Sequence, residues 1–385
     1  MPSEQFDCII VGAGALGSFH AYHALKRGLR VLLLEKDERP MEATVRNFGQ
    51  AVPSGMSSGK WQQLGRRSLE IYKDIQSKFD ISVRQNGTVY LASNRVEQTL
   101  IEELAAINEK QGYASQLLDK EACLEKYPGL RASYCVGGLF FPDEVTIEPD
   151  RLIYAVLAYL KEQPGLVYKP QQLVRSVVSK GNYNEVESAD GNVYRGAKVI
   201  ICSGRDFQAL YPSVFYNSDI EVSKLQMMRT TPMEGYVLPG SVLGGLSIRR
   251  YESFHECPSY KKLDAGAIDE RFRKWGVHVL FKQAVDGSMI IGDSHEYADA
   301  RVAGELGFDN RPVINDIILE EAQRMFNMPH WNIAKQWNGY YAQRKGHDIF
   351  NEEVEPNTWI VTAIGGKGMT GSAGYAEKNV ARVFG

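Results

Sequence analysis

The stretch "CIIVGAGALGS", Cys8 to Ser18, constrains the fold more than any other. "FDCIIVGAG" reads as a buried strand, and "ALGSFHAYHALKRG" as a helix that begins at Ala15, inside the glycine turn. "LRVLLLEK" then reads as a second buried strand ending at Glu35 and Lys36. Gly12 permits the tight turn, Gly14 lets a pyrophosphate approach the backbone, and Gly17 lets helix and sheet pack closely. Glu35 stands where a carboxylate can accept both hydroxyls of a ribose. An isolated glycine triplet is a weak sign. Inside a strand–turn–helix–strand unit with a terminal acid, it specifies dinucleotide binding. A merely tight turn would leave Glu35 unexplained, and an acid there opposes a 2'-phosphate, so NADPH is not expected.

Three further stretches bear on which dinucleotide it is. "VRNFGQAVPSG", Val45 to Gly55, is rich in glycine and small polar groups, as a backbone approaching a flat ring requires. "NVYRGAKVIICSGRDF" reads as a hairpin feeding a strand that ends at Ser203 and Gly204. "TWIVTAIGGKGMTGSAGYAEKNVARVF" reads as a strand, a glycine-rich turn and a final helix. That turn offers a second set of backbone amides at a helix N-terminus. An NAD domain completes its site within roughly its first 150 residues and needs no C-terminal return strand. A cofactor held from both chain ends is better explained by FAD. The expected cofactor contacts are Gly12, Gly14, Ala15, Gly17, Glu35, Lys36, Arg46, Asn47, Gly49, Gln50, Val174, Ser203, Gly204, Gly366, Gly368, Met369 and Thr370.

Together these pieces, with "GGLFFPDEVTIEPDRLIYAVLAYL" and "GSMIIGDSHEY", resemble the D-amino acid oxidase, glycine oxidase and sarcosine oxidase superfamily of FAD-dependent amine oxidoreductases. The resemblance runs over nearly the whole chain. "RNFGQ" combined with "AIGGKGMTG" is similar to a branch associated with phosphonate metabolism, which is proposed to act on aminophosphonates. The implied fold is α/β, α+β overall: a Rossmann-like FAD domain of the glutathione reductase type with an interleaved antiparallel-sheet substrate domain. Residues 1–80, 147–215 and 330–385 are assigned to the FAD domain, and 81–146 and 216–329 to the substrate domain. "NGTVYLASN" reads as a strand opening the second domain. Leu100, Ile101, Leu104 and Ile107 show the spacing of a helix, and "RPVINDIILEEAQRMFN" reads as an amphipathic one.

The resemblance implies transfer of a hydride from the carbon bearing nitrogen to flavin N5, followed by hydrolysis of the imine. Such chemistry demands positioning and an anion handle more than side-chain acids and bases. Lys367, in "GGKGMTG", and Arg46, in "RNFGQ", are the candidate catalytic residues. Lys367 could stabilise charge on the reduced flavin, assist oxygen reduction or bind an anion; the alternative is a solvent-facing loop lysine. Asn47 could equally serve only to fix its loop. Arg46 again, Arg344, Lys282, Arg249 and its neighbour Arg250 are the candidate anion binders, because a cation, and a guanidinium fork above all, suits a carboxylate or phosphonate. Tyr340, Tyr341 and Trp337 could wall the cavity or belong to the core. His295 and His347 could be bases or satisfied structural histidines.

Two departures from the family pattern bear on function. Thr370 stands where some relatives carry a lysine for the substrate carboxylate. The strand holding Met289, Ile290 and Ile291 lacks the oxygen-activating lysine of monomeric sarcosine oxidases. "AIGGKGMTG" has no cysteine and "RNFGQ" no histidine, so FAD is expected to be non-covalent.

Composition narrows the partners. A net charge of -3 gives no global attraction to nucleic acid or membranes. No apolar run approaches the ~18 residues of a membrane span, and a cytoplasmic location is expected. The five cysteines are scattered, and no metal-ligand spacing occurs, so no metal is expected. The expected function is FAD-dependent oxidation of a small anionic amine, an aminophosphonate in the sharper form, with O2 or another electron acceptor. A glycine/sarcosine-type oxidase and a non-catalytic or complex-bound flavoprotein subunit are the alternatives.

Overall fold

The computed structural model describes residues 5–263 and 268–385. Strand Gln5–Val11 lies between Val31–Leu34 and Val193–Ile201, parallel to both. Leu166–Lys169 and Thr358–Thr362 extend this parallel set on either side, and Phe350–Glu355 closes one edge antiparallel. With the antiparallel strands Val174–Ser179 and Asn184–Ser188, the sheet has eight strands.

Both faces of the parallel strands are covered, which is why they read as unbroken apolar runs. Cys8, Ile10, Val31, Leu33, Ile200 and Val361 join one core cluster, while Ile9, Val11, Leu32, Leu34, Ile201 and Ile360 join another. The period-two alternation of a strand makes that division. Helices Ala15–Lys26, Lys60–Gln76, Pro149–Lys161 and Gly368–Phe384 cover the first face. The first and last of these touch: His23 Nε2 lies 3.0 Å from the Ala373 carbonyl, so the two chain ends are locked together.

A nine-stranded sheet forms the second layer. Its longest strand, Ile220–Thr230, pairs with Ile333–Arg344 on one side and with Met289–Gly292 and Glu296–Asp299 on the other. Leu280–Gln283, Ser241–Leu243, Thr88–Ala92, Gly137–Phe141 and Gln116–Leu118 follow in order. The neighbours are antiparallel except Ser241–Leu243 against Thr88–Ala92, which run parallel. Helix Arg95–Lys110 packs Leu100, Ile101 and Leu104 on one face, each fully buried aliphatic chain contributing roughly 1.5–3 kcal/mol. Helix Pro312–Met325 covers the other face through Ile314, Ile317, Ile318 and Met325. Strand Ile333–Arg344 belongs to this sheet, although a boundary at 330 would give it to the other layer. Its register with Ile220–Thr230, Tyr341 opposite Ser223, holds it there until the chain crosses back at Phe350. Among the described residues no helix is long and apolar enough to cross a membrane.

Candidate active site

A cavity of about 890 Å³ lies between the carboxyl ends of the parallel strands and the nine-stranded sheet, where open α/β sheets bind their ligands. Backbone builds its first wall. Gly12 has φ +97°, and a Cβ there would sit 2.4 Å from the Cys202 carbonyl oxygen. A Cβ on Gly17 would sit 1.8 Å from the Gly12 carbonyl oxygen, so only glycine permits this crossing. Gly14 starts helix Ala15–Lys26 without a side-chain cap and lines the cavity. Ala15 N–H donates to Thr44 Oγ1 at 3.0 Å. Glu35 Oε2 accepts from Ala13 N–H at 2.9 Å and Oε1 from Asp37 N–H at 3.1 Å. Burial raises the Glu35 pKa despite those two bonds. Lys36, paired with Asp37 at 2.6 Å, and Val174 complete this wall.

The expected cofactor contacts converge, with two exceptions. Arg46, Asn47, Gln50, Ser203, Gly204, Gly366, Gly368, Met369 and Thr370 all line the cavity. Gly17 and Gly49 stand behind it: Gly49 has φ +73° and backs onto the Ile147 carbonyl. Asn47 fixes its loop, donating to the Ala43 and Thr44 carbonyls and accepting from Gly49 N–H at 2.8 Å. Thr370 Oγ1 accepts from Val52 N–H at 3.0 Å, which ties the C-terminal turn to the loop after Gln50.

The candidate cations divide. Lys367 lines the cavity, its Nζ 2.8 Å from Glu252 and 2.9 Å from Asp348. Burial opposes its charge, but these two carboxylates outweigh burial and raise its pKa. Arg344 lines the cavity while bound to Asp219 at 2.6 Å. Arg46 spends its Nε on the Met41 carbonyl at 3.0 Å.

Two expected substrate binders are corrected. Lys282 is fully buried away from the cavity, donating to the Ile147 carbonyl at 2.7 Å and to Glu148 at 2.9 Å. Burial pushes its pKa down to about 8, against the pull of Glu148. Arg249 turns away as well, held by Glu97 at 2.7 Å. Its neighbour Arg250 lines the cavity instead; Nη2 donates to Tyr297 Oη at 2.9 Å, and no ion pair holds it among the described residues. Tyr341 and Tyr340 both line the cavity, the latter donating to the Gly307 carbonyl; Trp337 does not line it and donates to the Arg46 carbonyl at 3.2 Å.

Tyr251, Glu252, His278 and Asp293 also line this wall, and sequence reasoning missed them; His295 joins them. They come from three separate segments, and no spacing signal connects those segments. His278 Nε2 lies 2.8 Å from Asp293 Oδ1, and the two imidazole rings stack with centroids 5.4 Å apart. Burial lowers the pKa of both histidines, that of His295 to about 3.

The site fits FAD. Gly14 leaves the first helical turn uncapped for a pyrophosphate, and Ser203 Oγ is buried on the cavity wall without a partner. The cavity also continues from Gly12 to the Gly366–Thr370 turn, as a cofactor held from both chain ends requires. Comparison with known proteins agrees. The sequence model of the family described as "FAD dependent oxidoreductase" (DAO) matches residues 7–382. An opine oxidase subunit from Agrobacterium tumefaciens (strain Ach5) is 22% identical over 393 residues, covering 97% of this chain and 91% of that protein. The glycine oxidase structure from Geobacillus kaustophilus superposes with a TM-score of 0.77 at 16% identity, over 99% of this chain and 95% of that one. L-proline dehydrogenase from P. horikoshii gives 0.80 at 17% identity, over 99% and 94%. The chain belongs to the DAO family of FAD-dependent oxidoreductases, and is an enzyme with FAD as its cofactor.

Proposed function

We propose that the enzyme oxidises a small amine carrying an anionic group, and that its substrate class is the aminophosphonates: 2-aminoethylphosphonate or an N-methylated or hydroxylated relative. Arg250 carries this reading. Lys367 and Arg344 are neutralised by carboxylates, whereas Arg250 faces the cavity with only a tyrosine hydroxyl as partner. A guanidinium fork left open in this way suits a phosphonate or carboxylate. When bound, FAD supplies the two-electron acceptor for the C–H bond next to nitrogen. Arg250 fixes the anion, Tyr251 and Tyr341 wall the carbon chain, and water hydrolyses the imine to a carbonyl compound and ammonia, or a free amine where the nitrogen is methylated.

Anaerobic bleaching of the flavin tests this. 2-Aminoethylphosphonate should bleach it faster than glycine or sarcosine do, and a flavin left yellow by every amine overturns the reading. The similarity to one component of an opine oxidase favours a second reading, a flavoprotein that needs partner chains for turnover. On that reading the isolated chain is bleached but is not reoxidised by O2.

A further inference from the structure

We infer that His278, Asp293 and His295 form a binding site for one divalent transition-metal ion on the cavity wall. Their ligand atoms all lie within 4.8 Å of one another. All three residues are more than nine-tenths buried, with relative exposures of 3%, 7% and 6%. The backbone brings them together. His278 N–H donates to the Asp293 carbonyl at 3.1 Å, and Asp293 N–H donates to the His278 carbonyl at 2.8 Å. His295 follows two residues later and donates its N–H to the Trp275 carbonyl at 2.8 Å.

Two observations point to a cation. First, each imidazole has its Nδ1 engaged: that of His278 lies 3.0 Å from Ser247 Oγ, and that of His295 lies 3.1 Å from the Gly276 carbonyl. A carbonyl accepts only, so Nδ1 of His295 carries the proton and Nε2 presents a lone pair. Metal-bound histidines are oriented in this way, the far nitrogen donating to a backbone or side-chain oxygen.

Second, Asp293 Oδ1 lies 2.8 Å from His278 Nε2 without an aligned donor, although it is buried. With the His278 proton on Nδ1, donated to Ser247, two lone pairs face each other at that distance. A cation bound by both atoms relieves the repulsion. The other tautomer, with Ser247 donating to Nδ1, leaves an imidazole–carboxylate pair and no ion.

Two nitrogens and one carboxylate oxygen suit zinc, iron(II), manganese or cobalt, and the cavity leaves further coordination positions open. The expectation of no metal came from spacing along the chain. Register between two sheet segments places these ligands, and spacing does not report register. The ion would also change what the wall attracts. With it, the charge of the ion adds to that of Arg250, and the wall suits a dianionic phosphonate better than a monocarboxylate. This last step rests on the function proposed above; the ion site itself does not.

The test is to strip the flavin-loaded enzyme with a chelator and titrate it with Co(II) alone and with Zn(II) alone. One ion should bind per chain, with Co(II) bands at wavelengths where oxidised flavin is transparent. Asp293→Asn and His295→Gln should each weaken binding at least tenfold. Ser247→Ala, which leaves the three ligands intact, should weaken it about 10–100-fold. His330→Gln, a histidine hydrogen-bonded to the Pro232 carbonyl outside this cavity, should bind as the parent does. No stoichiometric ion in the parent, or parent-like affinity in Asp293→Asn or Ser247→Ala, overturns the site. If a ligand variant loses its flavin, the parent titration and Ser247→Ala decide. An ion bound with no amine oxidised defeats the proposed substrate and leaves the metal site standing. Amine oxidation without an ion does the reverse.

Discussion

The two walls of the cavity are built by different means. The nucleotide wall is backbone: Gly12, Gly14 and Gly17 cross within one turn of chain, and the nearest obstacle to an atom added at Gly12 or Gly17 is a carbonyl oxygen. The opposite wall is side chain: Arg250, His278, Asp293, His295 and Tyr341 come from segments of the nine-stranded sheet and its loops far apart in sequence. A site made of backbone is specified by steric exclusion and fails abruptly. A site made of side chains is specified by charge and hydrogen bonding, and it fails in proportion to what is removed.

The sharpest way to break this comparison is Gly17→Val. With a Cβ placed 1.8 Å from the Gly12 carbonyl, it should cost more than ~4 kcal/mol and yield protein without flavin, read from visible absorbance and Tm. Gly28→Ala is the internal standard: φ is +76° but the space is open, so the cost should be about 1 kcal/mol with flavin retained.

Lys282→Met tests whether that lysine is structural. It removes one partner of a buried pair while Glu148 keeps Arg84 at 2.6 Å. A loss of about 3 kcal/mol by denaturant unfolding is expected, with KM for the amine unchanged. A raised KM with parental stability would return Lys282 to the substrate wall.

Arg250→Met should keep its flavin and lose roughly 100-fold in kcat/KM for an anionic amine, about 2.7 kcal/mol. Equal losses for anionic and uncharged amines would show that Arg250 acts by packing.

A smaller effect than any of these losses of function or pairing is a pH dependence. Burial raises Glu144 to about 6, against bonds from Ser54 N–H at 2.8 Å and Tyr113 Oη at 2.6 Å. The folded state then holds a proton that the unfolded chain releases near pH 4.5. Stability from this group is therefore complete below that value and lost as pH rises through about 6, a change of about 2 kcal/mol. Glu144→Gln should flatten the curve in that window relative to the parent, as followed by Tm.

Lys367 shows where the sequence stopped being informative. Its place in a glycine-rich turn at the cavity was legible from "GGKGMTG", because turn, helix start and cavity are all local. Its two carboxylate partners were not, since Glu252 and Asp348 approach from different loops. Arg249 and Arg250 show the same limit at one-residue resolution. Adjacent in sequence and alike in chemistry, they are sent to different sides by a short helical turn at Gly245–Ile248. The expected boundary at 330 met it too, because the pairing of Ile333–Arg344 with Ile220–Thr230 leaves no mark on either segment alone.

By itself, the sequence determined the dinucleotide turn, the paired chain ends and hence the FAD fold, because each depends on steric demands that neighbouring residues express directly. Only the tertiary structure decided which cations stay open, and which histidines and carboxylate meet. Those outcomes depend on strand register and on the long-range pairing of charges, and neither is written at any single position.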